Sequence, residues 1–232
     1  MTDFRLLQAF HNLFEGDPYL HRSSILGDQI ASYLYDDLYL LNRSPKYTAR
    51  VERGVIAVNA GNRIKGKSGR RGDGTLGEVV PGGELTTVED YIVKRGPVAT
   101  LEIGSETKIL ATKMIAQIDR VMNDLREQAN VFRSHSKDSI RVGIVGVNFS
   151  DEYTSHQGVH DFPAKIPPSR ESIEVIRRIR DNVSSHYDEL LILRFRASNR
   201  PPYEFEWVNE KETKLEYGSS LIRISTRYEQ QF

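Results

Sequence analysis

The chain has 232 residues, 38% hydrophobic and 28% charged, which is enough to bury a real core and excludes a disordered polyelectrolyte. Its 32 basic and 32 acidic residues cancel, so only a local cluster can announce a polyanionic partner. There is no cysteine, which rules out disulfides and thiolate metal sites and points to a cytoplasmic protein, while no apolar run or secretory leader suggests a membrane partner.

Phe4, Leu7, Phe10 and Leu13 recur at helical spacing over residues 2–15. Ile30, Leu34, Leu38 and Leu41 do the same over 24–42, with Gly16-Asp17-Pro18 as the turn between the two helices. Ser44 and Pro45 read as an N-cap and first helical residue. Tyr47, Val51, Val55 and Val58 extend that helix, although Val55 to Val58 suits a strand equally well. This helical N-terminal part, residues 1–60, is expected to cover one side of a sheet.

Arg63, Lys65, Lys67, Arg70 and Arg71 then place five cations within nine positions among glycines. Lysine and arginine neutralise phosphates and glycine lets the backbone approach them, so this segment is a candidate DNA-binding loop. Gly61 to Ser68 also matches the phosphate-binding P-loop string. That motif needs an apolar strand before it and a helix after it, and Gly69, Gly72 and Gly74 stand where the helix should be.

Thr75 to Val80 reads as a short strand ended by Pro81-Gly82-Gly83, and Val88 to Val93 as another segment of an antiparallel meander. The run from Pro97 to Leu110 follows, its first half strand-like and carrying Glu102, Glu106 and Lys108 at even positions. Alternation puts all three on one face, Glu106 and Lys108 roughly 7 Å apart and Glu102 roughly 13 Å from Glu106. Residues 111–134 form an amphipathic helix with a stripe from Met114 to Phe132, and Arg141 to Asn148 a buried strand. Strand, helix, strand implies a right-handed crossover between parallel neighbours.

Residues 149–168 read as a polar loop. His156, His160 and Asp161 could ligate a metal only if that loop were helical, and Gly158, Pro163, Pro167 and Pro168 argue for irregular structure. Within this part Lys165, Arg170, Arg177 and Arg178 could meet nucleic acid. A helix from Ser169 to Val183 leads to a buried strand, Leu190 to Phe195. Tyr203, Phe205 and Trp207 suit core or dimer packing, and Ser219 to Arg227 is a strand or a helix. The expectation is an α/β protein, a mixed central sheet flanked by helices, in one domain spanning 1–232.

Asp73 before a strand, then a strand carrying Glu106-Thr107-Lys108, an amphipathic helix and a buried strand, resembles the core of the PD-(D/E)XK nuclease superfamily, the restriction-endonuclease-like fold. The resemblance covers about residues 70–150, and Gly72 stands where that pattern has proline. It implies an endonuclease that hydrolyses double-stranded DNA with Mg²⁺, of the type II restriction kind and homodimeric. Asp73 and Glu106 would hold the metal and Lys108 would complete the catalytic set. Glu78 or Asp90 remains open as the first carboxylate, and Glu102, Lys113 and Gln117 as additions to the pocket. Residues 151–232 would then supply DNA contacts or the dimer interface, with 63–71 and 149–170 as candidates for reading the sequence. The alternatives are a non-catalytic nucleic-acid-binding protein of a defence system and a P-loop nucleotide-binding protein.

Overall fold

The computed structural model describes residues 3–20, 25–59, 74–157 and 160–232. Helices α1 (Arg5–Asn12), α2 (Ile25–Leu41) and α3 (Pro45–Glu52) open the chain. Ser44 caps α3 as its spelling predicts, its hydroxyl accepting from the Tyr47 amide at 3.1 Å, with Pro45 where no amide donor is needed. Gly54 takes a φ of +66° just after that helix, so Val55 to Val58 cannot extend it. Strand β1 (Ile56–Asn59) forms there instead, buried throughout.

Seven strands make the main sheet among the described residues: β1, β2 (Gly74–Glu78), β3 (Arg95–Gly96), β4 (Ile103–Leu110), β5 (Ile140–Asn148), β8 (Glu189–Ala197) and β9 (Phe205–Trp207), in the order β3-β1-β2-β4-β5-β8-β9. β1, β2 and β4 run antiparallel, β4, β5 and β8 parallel, and β9 returns antiparallel. Helix α4 (Met114–His135) makes the crossover from β4 to β5, and α5 (Pro168–Val183) the one from β5 to β8. This is the expected α/β architecture, a mixed sheet with helices on both faces.

Side-chain alternation sorts the core into two layers. Val142 and Ile144 of β5 join α1, α2, α3 and the last helix α6 (Glu210–Gln231), while Val145 and Val147 join α4 and α5. No helix among the described residues is long and apolar enough to cross a membrane.

Three segments differ from expectation, and a fourth is decided between its alternatives. Val88 to Val93 is not a strand, because the Asp36 carboxylate accepts the Ile92 and Val93 amides and ties the segment to α2. The central strand starts at Ile103, later than expected; Pro97 to Glu102 only bridges to β2, through bonds such as Ala99 N to Glu78 O at 2.7 Å. The polar loop after β5 contains a separate hairpin, β6 (Thr154–Gln157) and β7 (His160–Pro163), in which His156 faces Asp161. Ser219 to Arg227 belongs to the 22-residue helix α6, whose Tyr217, Leu221, Ile224 and Tyr228 are buried one turn apart. Phe205 and Trp207 pack into the core against Phe10 and Phe195, rather than facing out as a stacking platform.

Candidate functional site

Strand β4 lies in the middle of the sheet with an opposite chemistry on each face. Ser105 turns towards α2, its hydroxyl 3.5 Å from that of Tyr35. Even-numbered positions turn towards α4: a Cβ added to Gly104 would sit 2.7 Å from the Phe132 ring, and Leu110 packs among the side chains of α4 and α5. Glu106 and Lys108 fall between them on that face, beside Gly143 and Val145 of β5. The Lys108 ammonium meets the Glu106 carboxylate at 2.7 Å, with the carboxylate side chain 4% exposed and the lysine 25%. An acid thus sits almost dry beside a partly exposed cation, a pairing suited to handling a charged oxygen.

Strand β2 supplies the second wall. It pairs Gly74 with Ser105 and Thr75 with Gly104, so Thr75 shares the α4 face with Glu106. Helix α2 packs so closely here that a Cβ on Gly74 would overlap that of Ala31 at 2.2 Å, and only glycine fits. Asp73, the residue bonded to Gly74, lies outside the described residues, as do Arg63, Lys65, Lys67, Arg70, Arg71 and the whole string Gly61 to Ser68. The first described element after that string is strand β2, not the helix a P-loop requires.

Glu102 does not share the pocket. It precedes the regular strand and turns to the opposite layer, where Arg50 of α3 donates to it at 2.6 Å and the Tyr228 hydroxyl of α6 donates to its other oxygen. Burial pushes its carboxyl above the ordinary range, against the pull of Tyr228 and Arg50. Glu78 also bonds Arg50, at 2.9 Å, from the far end of β2, about 13 Å along the strand from Gly74. Asp90 stands in an exposed turn at a φ of +68°. Lys113 is exposed at the N-cap of α4. The Gln117 amide is held by the Thr112 carbonyl at 3.0 Å, as a local helix-start bond. His156 spends both ring nitrogens, one on Asp161 and one on the Asn199 carbonyl, which removes it as a metal ligand.

One buried polar group was not foreseen. Gln128 of α4, one turn before Phe132, has 0% exposure, and neither its amide nitrogen nor its oxygen has a hydrogen-bond partner among the described residues. Thr75 Oγ1 on β2 is likewise buried with no partner among the described residues. The sequence signal for Gln128 was an amide inside the apolar stripe Leu125, Ala129, Phe132, where an aliphatic side chain belongs.

Among the described residues no three carboxylate or imidazole groups come together. Glu106 nevertheless fits a hard divalent ion, which takes carboxylate oxygen and keeps several waters. Compared with known proteins, the chain matches no protein-family model and no curated sequence significantly. Fold and pocket together define an α/β protein with a carboxylate–ammonium pair on the central strand of a mixed sheet.

Proposed function

We propose that the protein is a Mg²⁺-dependent endonuclease of double-stranded DNA, built like the PD-(D/E)XK enzymes and acting as a type II restriction homodimer. The observation that carries this reading is the Glu106–Lys108 pair, 2.7 Å apart on the central strand, its acid buried and its lysine partly exposed. Support comes from its setting. β2 and β4 are adjacent and antiparallel, and the described pairing ends with Gly74, the residue after Asp73, opposite Ser105, the residue before Glu106. The amphipathic helix and buried parallel strand follow in the order the resemblance requires.

In this reading Glu106 and Asp73 hold the metal. A Mg²⁺ ion held there would supply an activated water and neutralise charge at the scissile phosphate. Lys108 acts as a fixed cation beside the reacting phosphate: it orients the attacking water and stabilises the oxygens that gain charge as the new P–O bond forms. The bond to the leaving sugar oxygen then breaks, and that oxygen takes a proton. Two copies related by a twofold axis would cut both strands.

The test is incubation with plasmid DNA and Mg²⁺, followed by gel analysis of nicked and linear products. Cleavage abolished by EDTA and reduced on the order of 100-fold or more by Glu106→Ala and by Lys108→Ala supports the reading. Cleavage indifferent to both substitutions overturns it, and binding without cleavage moves the protein to the non-catalytic alternative.

A further inference from the structure

Several cations on the described surface meet a carboxylate where they stand. Arg177 pairs with Glu174 and Asp181, Arg178 with Asp119, Arg194 with Glu212 and Glu216, and Arg196 with Glu206. Lys113, Lys165 and Arg170 are exposed and make no ion pair or side-chain hydrogen bond among the described residues; Arg43, Lys94 and Arg120 share that state, and placement is what sets the three apart. They sit on three different elements, yet the fold gathers them. The Met114 amide, next to Lys113, donates to the Glu171 carboxylate, next to Arg170, at 2.8 Å, which locks the starts of α4 and α5 together. Ala164, next to Lys165, bonds the Tyr153 carbonyl at 2.7 Å, and Ser169, next to Arg170, bonds Ser150 at 3.0 Å. All these contacts lie where the parallel strands β4 and β5 end.

The same rim carries Phe162, 49% exposed, on the β6–β7 hairpin, and Ile166, 54% exposed, beside Lys165. It adjoins the pocket too. Lys113 follows Lys108 by five residues, a reach of at most about 17 Å, or roughly five base-pair steps of duplex.

We propose that this rim, with Lys113, Lys165 and Arg170, is the surface on which duplex DNA is seated as it presents a phosphate to Lys108. The proposal rests on the nuclease reading and gives its substrate a path across the protein. Charge complementarity selects the occupant: three cations without carboxylate partners among the described residues, gathered at one end of the sheet, suit a polyanion, not an apolar partner. It also separates the cations left open by sequence. Lys165 and Arg170 are available to phosphates, whereas Arg177 and Arg178 are engaged by neighbouring carboxylates.

The test uses Glu106→Gln protein with Mg²⁺ and a fluorescein-labelled duplex, so that anisotropy reads binding without cleavage. Lys113→Glu, Lys165→Glu and Arg170→Glu combined should weaken binding on the order of 100-fold and reduce the log–log salt slope by about 2–3. The same charge change at the opposite end of α4, Arg133→Glu with Lys137→Glu, should leave affinity within about threefold. Equal losses in both variants, or none in the first while its melting temperature is unchanged, overturn the rim. If wild-type protein cuts plasmid while the rim variant binds normally, the nuclease reading stands and only the rim falls. If the parent protein neither binds nor cuts duplex, both fall together.

Discussion

Arg50 and Glu102, 52 positions apart, form a 2.6 Å ion pair buried between helix α3 and the head of the central strand. Glu78 shares the guanidinium, and Tyr228 closes the far side of Glu102, so three layers of the fold meet at one carboxylate. Removing the cation strands a buried charge. Arg50→Ala should therefore cost about 3–5 kcal/mol. Arg50→Met combined with Glu102→Gln should recover most of that loss, because an uncharged pair carries no desolvation penalty. Chemical denaturation of the two variants against wild type checks both figures.

Asp188 links stability to pH. Burial raises its carboxyl, but the Arg141 bonds to it outweigh burial and hold it below its ordinary range, with Arg227 adding to the pull. The folded state thus binds this proton less readily than the unfolded chain does. Its stabilisation is complete above the unfolded value near 3.8 and is lost as pH falls through the depressed folded value. Asp188→Asn should cost about 2 kcal/mol at pH 7, a fall in melting temperature of roughly 4–8 °C, and almost nothing at pH 2. Parallel melting curves at the two pH values decide it.

Gln128 offers the opposite sign. Two buried amide atoms without partners are a cost that a flexible apolar side chain of similar length avoids. Gln128→Met is expected to raise stability by about 1 kcal/mol, or roughly 2–4 °C in melting temperature. A fall of that size would mean that the amide is satisfied in solution by a buried water.

Metal binding has a readout independent of cleavage. A ligand that binds only the folded protein stabilises it by about 2.7 kcal/mol at 100 times its dissociation constant. Saturating Mg²⁺ should raise the melting temperature of wild type by several degrees and leave Glu106→Ala unmoved. An equal rise in both would place the ion elsewhere.

The parts of this fold that could be read in advance are those where local chemistry and tertiary packing agree. Ser44-Pro45 starts a helix because Ser44 accepts from one orphan amide and Pro45 removes another, and the apolar stripe of α4 needs only one face to be right. The even-numbered pair Glu106–Lys108 met across one strand pleat as spacing required. Glu102 did not follow them, because alternation holds only within the regular strand, and the distant partners Arg50 and Tyr228 drew it to the other layer. The hairpin after β5 was hidden because its pairing couples His156 with Asp161 across a turn that carries no strand-like apolar pattern. Val88 to Val93 carried that pattern, and the Asp36 carboxylate took the amides a neighbouring strand would have used.

Two buried carboxylates of the helical layer, Asp37 and Glu102, accept hydrogen bonds from the hydroxyls of Tyr217 and Tyr228 on α6. During synthesis those acids leave the ribosome more than a hundred codons before their partners do. Until α6 is made those acids lack the hydroxyls that satisfy them, so a nascent chain stalled before residue 210 should engage chaperones more than one that carries the helix.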